Sequence, residues 1–284
     1  HAFRSMIIDS RGLLWFVNDN WVQPAVFVCD MENNVIVKYD NFVNQDGTHY
    51  NVNWITCVCE DRDGNIWVGP DMGPFMIQKS EVGESNVTFY RVKIPRNDGT
   101  NYADYLLSNV FICDIKVDNA NRKWFATNDG VYLISSDNNT QLAHFTMDNS
   151  PLPDNEVKSI AIDENTGVVY LATLNGLCSY QSDVTQSYGD LTDDNVYAYP
   201  NPVTPDFTGE ITITGLTEGA QIKILATSGQ LVSEGTSTGG SYRWDGCDLN
   251  GKKVASGVYM VNVATAGGER YCRRFIRITK GRAN

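Results

Sequence analysis

The sequence predicts an all-β protein in two parts, a partial β-propeller of about four blades followed by a small antiparallel β-sandwich. Three observations carry this. A pattern of apolar run, Asp, tight turn and aromatic-containing apolar run recurs four times in the front of the chain. Its spacing lies near that of four-stranded blades. Past residue 185 the charge balance and the turn chemistry both change.

The four copies are "MIIDSRGLLWFV", "VCEDRDGNIWVG", "IKVDNANRKWFA" and "IAIDENTGVVYLA". Asp9 to Trp15, Asp61 to Trp67 and Asp118 to Trp124 are each six apart, while Asp163 to Tyr170 is seven because "DENTG" carries an extra residue. Gly73, Gly130 and Gly176 each follow the aromatic by six residues; the first copy has Trp21 there instead. Successive aspartates are 52, 57 and 45 residues apart, longer than a helical repeat of about 34. β-branched and aromatic runs bounded by "RG", "DG", "NDG" and "LNG" read as strands, and no stretch sustains a 3.6 period.

In the fourth copy "EVKSIAID", "VVYLAT" and "GLCSYQ" supply three strands. Fourth, outer strands are expected in the first three copies at "NNVIVKYD", "SNVTFYRVKI" and "TQLAHFTMD". Only the polar "SDVTQSYGDLTDDN" follows the fourth, so its outer strand, and further blades, are expected upstream of His1. The pattern in "NEVKSIAIDENTGVVYLATLNGLCSY" resembles the two-component regulator propeller repeat of large extracytoplasmic propellers in Bacteroidetes. The resemblance implies a propeller over residues 1–185, and residues 186–194 are read as a linker.

Residues 195–284 open on a proline cluster, Pro200, Pro202 and Pro205, that sets a stiff entry before strands begin. Ile211, Ile213 and Leu216 continue an apolar face, and Ser228-Gly229 marks a hairpin. In "WDGCDLNGKKVASGVYMVNV", Asn250-Gly251 is a hairpin signal, Ser256-Gly257 turns the chain, and Tyr259, Val261 and Val263 share one face. Trp244 is expected to plug the core, a ligand platform being the alternative. An Ig-like antiparallel sandwich accommodates these signals.

Read whole, this segment resembles the C-terminal sorting domain of the type IX secretion system. The resemblance implies a non-enzymatic component at the outer-membrane surface of a Gram-negative bacterium, extracellular and not membrane-spanning. It further implies anionic lipopolysaccharide and the surface sortase as partners. From Arg270 to Arg282 there are six cations and no acid after Glu269. Arg273, Arg274, Arg277 and Lys280 are therefore the candidate recognition residues for phosphates or an acidic partner. The alternative is a charged edge strand that blocks edge-to-edge pairing.

Other chemistries find little support. Residues 1–185 carry 12 Lys+Arg against 24 Asp+Glu, and the rest 10 against 10, so the formal charge of −12 belongs to the front and disfavours nucleic acid. No run of 18 apolar residues is present. Only His1, His49 and His144 occur, with no GxSxG, HExxH, GxxxxGKS or GxGxxG, so no catalytic residue, metal site or cofactor is expected. "DRDGN" from Asp61 to Asn65 is read as an inter-strand turn rather than a calcium loop, since Met72 stands where an EF-hand needs Glu. Seven cysteines form no CxxC pair; most are expected to be small buried hydrophobes, with Cys57 and Cys59 on one strand face.

Two further readings stay open. One is a glycan-sensing or glycan-binding propeller ectodomain. The other is the C-terminal part of an exported enzyme whose tail is a sorting signal.

Overall fold

An aspartate can close a tight turn with its own carboxylate, because Oδ1 reaches the amides two and four residues on. Asp9 Oδ1 accepts from Arg11 N and Leu13 N, both at 2.9 Å. Asp61 does the same with Asp63 and Asn65, and Asp118 with Ala120 and Arg122, at 2.9–3.0 Å. The other oxygen is left to accept an indole. Trp15, Trp67 and Trp124 donate Nε1–H to Oδ2 of Asp9, Asp61 and Asp118 at 2.9, 2.9 and 3.1 Å. This bond explains the six-residue spacing, and with the turn amides it commits both carboxylate oxygens of Asp61 in "DRDGN" to internal donors. Asn44 and Asp248 build the same turn on the amides of Asp46 and Thr48 and of Asn250 and Lys252.

The computed structural model describes residues 3–18, 23–96, 99–100, 102–192, 194–268 and 270–279. His1, Trp21, Glu269, Lys280 and Arg282 lie outside them, as does the side chain of Tyr271. The described residues fall into two units, His1–Ile162 with Val169–Tyr180 and Asp163–Val168 with Gln181–Asn284.

The front of the chain is a partial propeller of antiparallel sheets. β1 (Phe3–Ile8), β2 (Leu14–Asn18), β3 (Ala25–Asp30) and β4 (Val35–Tyr39) form the first blade in chain order. β5 (Ile55–Glu60), β6 (Ile66–Pro70) and β7 (Phe75–Ile77) form the second. β8 (Lys93–Pro95) and β9 (Ala103–Tyr105) pair as a separate two-stranded antiparallel sheet. β10 (Ile112–Val117), β11 (Lys123–Thr127), β12 (Gly130–Ile134) and β13 (Gln141–Phe145) form the third blade. β14 (Val157–Asp163), β15 (Val168–Thr173) and β16 (Gly176–Gln181) form a three-stranded fourth.

The expected outer strand of the second blade is a correction. β7 has three residues and runs into a 3₁₀ turn at Lys79–Glu81, so "SNVTFYRVKI" meets it only at the Met76–Tyr90 bridge. Its end becomes β8 instead.

Side chains at the first-strand bulges join neighbouring blades. Ser5 Oγ donates to Val58 O at 3.3 Å and accepts from Val58 N at 3.0 Å. Asp114 Oδ2 accepts from Ile160 N at 2.9 Å, at the corresponding positions of the third and fourth blades. Arg11 Nη1 donates to Gly64 O and Arg62 Nε to Asp118 O, both at 2.9 Å. Lys123 is fully buried; its Nζ donates to Ser136 O at 3.0 Å and stands 5.7 Å over the Trp67 ring of the preceding blade.

Each tryptophan belongs to a buried cluster shared with the following blade: Trp15 with Ile66 and Val68, Trp67 with Ile112 and Phe125, and Trp124 with Val157 and Leu171. Tyr170 holds the equivalent position. Like Trp124 it lies three residues before a threonine that closes the next turn, Thr127 Oγ1 to Gly130 O at 2.8 Å and Thr173 Oγ1 to Gly176 O at 2.9 Å. Yet Tyr170 is 42% exposed where the three tryptophans are 0%. No fifth blade follows among the described residues, and Asp163 Oδ2 accepts the Thr166 hydroxyl at 2.7 Å in place of an indole.

The tail is a two-sheet sandwich. β17 (Tyr197–Tyr199), β18 (Ile211–Thr214) and β21 (Ser241–Trp244) make one sheet. The other runs in the order β20 (Leu231–Thr236), β19 (Gln221–Ala226), β22 (Gly257–Ala264) and β23 (Tyr271–Ile278). Ile213, Leu216, Ile224, Val261, Val263 and Ile276 form its core, where Trp244 is 1% exposed and donates Nε1–H to Cys247 O at 2.8 Å. Asn250-Gly251 sits in a turn closed by a single Cys247–Lys253 bridge rather than between long strands. Leu191, in the expected linker, is buried in this core, and Tyr188 N donates to Leu216 O at 2.9 Å. Cys29, Cys57 and Cys272 are buried, while the other four cysteines are half-buried.

Candidate functional site

A strand shows alternate residues to opposite faces, so the basic run of β23 cannot act as one patch. Cys272, Ile276 and Ile278 point into the core; Arg273, Phe275 and Arg277 point outward and are exposed. Arg274 falls on the inner side, half-buried, and its Nε donates to Val196 O at 2.6 Å. Of the four candidates, the structure therefore places Arg273 and Arg277 on one face, on either side of Phe275, sets Arg274 apart, and does not describe Lys280.

The backbone edge of β23 is not open. Prolines offer no N–H, so the Pro200–Pro202 segment pairs through what lies between and after them. Asn201 Nδ2 donates to Phe275 O at 2.8 Å and Asn201 Oδ1 accepts from Arg277 N at 3.0 Å. Val203 N donates to Arg277 O at 2.8 Å and Thr279 N to Val203 O at 2.9 Å. A strand edge occupied in this way has little need of charge to repel another strand.

Across the outer face, Lys223 of β19, Asn262 of β22 and Arg273 of β23 stand in one register row. They border a depression of about 200 Å³ that Gln221 and Ala264 also line. Arg273 Nε donates to Asn262 Oδ1 at 3.0 Å, and the Lys223 ammonium is 4.0 Å from Glu234 Oε2. Lys223 lies outside the basic run and was not singled out in the sequence; only strand pairing brings it beside Arg273. A larger cavity of about 300 Å³ at the end of the sandwich is lined by Val203, Phe207, Ile211 and Ile278. Its cation, Lys253, is already bound to Asp245 O.

His144 lies against Asp129 O and stacks on Tyr132 at 3.8 Å. Burial pushes the Cys57 thiol well above its usual range and the Cys59 thiol up to about 12, which leaves both protonated and poor nucleophiles. Among the described residues no His/Cys/Asp/Glu group could hold a metal ion, and no helix is long and apolar enough to cross a membrane.

Residues 197–278 match the family described as the secretion system C-terminal sorting domain, and residues 49–71 match the two component regulator propeller. Among solved structures the chain is similar to PorZ, an essential bacterial surface component of the type-IX secretion system of Porphyromonas gingivalis. The two are 29% identical with a TM-score of 0.63, over 98% of this chain and 39% of PorZ. The chain thus spans well under half the length of that protein. It also matches the extracellular domain of BT3049 from B. thetaiotaomicron, at 18% identity and a TM-score of 0.44, over 97% of this chain and 38% of that one. No curated protein sequence matches it. With propeller repeats in front, a sorting domain behind and this resemblance across nearly its whole length, the chain is PorZ-like.

Proposed function

We propose that the chain is a non-enzymatic, cell-surface component of a type IX secretion system, lying at the outer-membrane surface. In this reading it binds anionic lipopolysaccharide through its tail and presents it to the system's sortase. One observation carries the proposal: Arg273 and Arg277 project from the outer face of the sorting domain with Phe275 between them, and neither side chain forms an ion pair among the described residues. An exposed guanidinium with unused donors suits a phosphate, which accepts two parallel N–H bonds from it. The front part, with its excess of 12 acids from 24 Asp+Glu against 12 Lys+Arg, repels such a ligand and favours the tail as its seat.

The test is titration of the 284-residue chain with anionic and with dephosphorylated lipopolysaccharide at two salt concentrations. Tighter binding of the anionic form, weakening as salt rises, supports the reading. Equal affinity for the two forms at both salt concentrations refutes it.

A further inference from the structure

We propose that the depression bounded by Lys223, Asn262 and Arg273 binds a phosphoryl group carried on a saccharide. This rests on the functional reading above and gives it a site. Neighbouring strands are about 4.8 Å apart, so the backbones at Lys223 and Arg273, two strands apart across Asn262, stand about 10 Å from each other. Two long side chains rising from that separation can converge on one phosphate, whose oxygens need several donors at once.

The floor of the depression is set by a small residue. Gln221 pairs with Ala264 in the row beside Lys223, Asn262 and Arg273, and the methyl of Ala264 leaves a hollow that the longer neighbours surround. An apolar floor with cationic walls fits a sugar ring that carries a phosphate at its rim.

The cations lining this hollow are less committed than Arg243, Arg270 and Arg274. Asn262 fixes Arg273 through Nε and leaves both of its Nη groups without a partner among the described residues. Lys223 has only Glu234 at 4.0 Å, the limit of an ion pair. By contrast Arg270 pairs with Asp190 at 3.3 Å, Arg243 with Glu210 at 3.5 Å, and Arg274 is bound to Val196 O. The geometry therefore selects Lys223, absent from the basic run, over Arg274, which belongs to it.

The probe is the delipidated polysaccharide with its phosphates, titrated against the full chain alongside its dephosphorylated form and vesicles of phosphorylated lipid headgroups. Lys223→Gln and Arg273→Gln are each expected to weaken binding of the phosphorylated polysaccharide by roughly tenfold or more, as for loss of a charge-assisted contact. Lys252→Gln, in the exposed 248–252 turn, is expected to bind as the parent does. Both site residues are exposed, so thermal melting should show the variants folded. If the parent prefers the phosphorylated polysaccharide while both variants bind it equally well, this site is wrong and the functional reading survives. If the parent shows no such preference, both fall. Binding to the vesicles but not to the delipidated polysaccharide overturns the saccharide assignment.

Discussion

Trp67 Nε1 donates to Asp61 Oδ2 at 2.9 Å from a fully buried indole, and the same bond joins Trp15 to Asp9 and Trp124 to Asp118. The bond couples the turn that ends the first strand of a blade to the residue that packs that blade on the next. Replacing Trp67 by Ala removes both the packing and the donor, and should cost about 3–5 kcal/mol in denaturant unfolding. Trp67→Phe keeps most of the packing but deprives a buried carboxylate of a donor, a loss of about 1–3 kcal/mol. A loss below about 1 kcal/mol for the alanine variant would contradict the interblade role.

Tyr170 provides the converse case. It occupies the tryptophan position of the fourth blade but is 42% exposed. Tyr170→Ala should therefore cost this chain less than about 1 kcal/mol, within the range of exposed substitutions. A cost approaching that of Trp67→Ala would show that another surface covers this face.

The repeat was legible because one physical cause fixed two residues at once: the indole must return to the carboxylate, so Asp and Trp keep a constant spacing in three copies. The tail was legible for a similar reason, since Tyr259, Val261 and Val263 alternate into the core as their period demands. The lost outer strand of the second blade left no such mark. "SNVTFYRVKI" has the composition of a strand, but its partner β7 ends after three residues, and pairing depends on both sides. The candidate site was harder still. Arg273 and Arg274 are neighbours in sequence but belong to opposite faces, whereas Lys223 meets Arg273 only through the pairing of three strands.

Gly130 and Gly12 separate backbone strain from steric exclusion. Both have left-handed φ, +91° and +85°, which costs an L-residue about 1–2 kcal/mol. A Cβ on Gly12 would meet nothing within 4 Å, but one on Gly130 would lie 2.1 Å from Phe145 O. Gly12→Ala should therefore lose about 1 kcal/mol and Gly130→Ala more than about 3 kcal/mol, because β12 would have to part from β13. Equal losses in equilibrium unfolding would mean that the third blade yields at this point without cost.

Acid should weaken the first blade through Asp9. Burial alone pushes this carboxyl up, but hydrogen bonds from the Trp15 indole, the Leu13 amide and the Arg11 side chain, with the Arg11 charge, outweigh it and hold Asp9 below its reference value of 3.8. A depressed carboxylate releases its proton more readily folded than unfolded. Its contribution is therefore complete above the unfolded value and is lost as pH falls from there through the folded one. In that interval stability should fall by at most about 1.4 kcal/mol per pH unit for this group. Trp15→Phe removes one of the lowering bonds, so it should raise the Asp9 pKa and flatten this part of the pH dependence, beyond any uniform loss from packing. The check is urea unfolding of both proteins between pH 5 and pH 2, with the Asp9 carboxyl followed by NMR. Parallel stability curves for the two, or an Asp9 that titrates at or above its reference value, would show that the indole bond does not hold the carboxylate in its charged form.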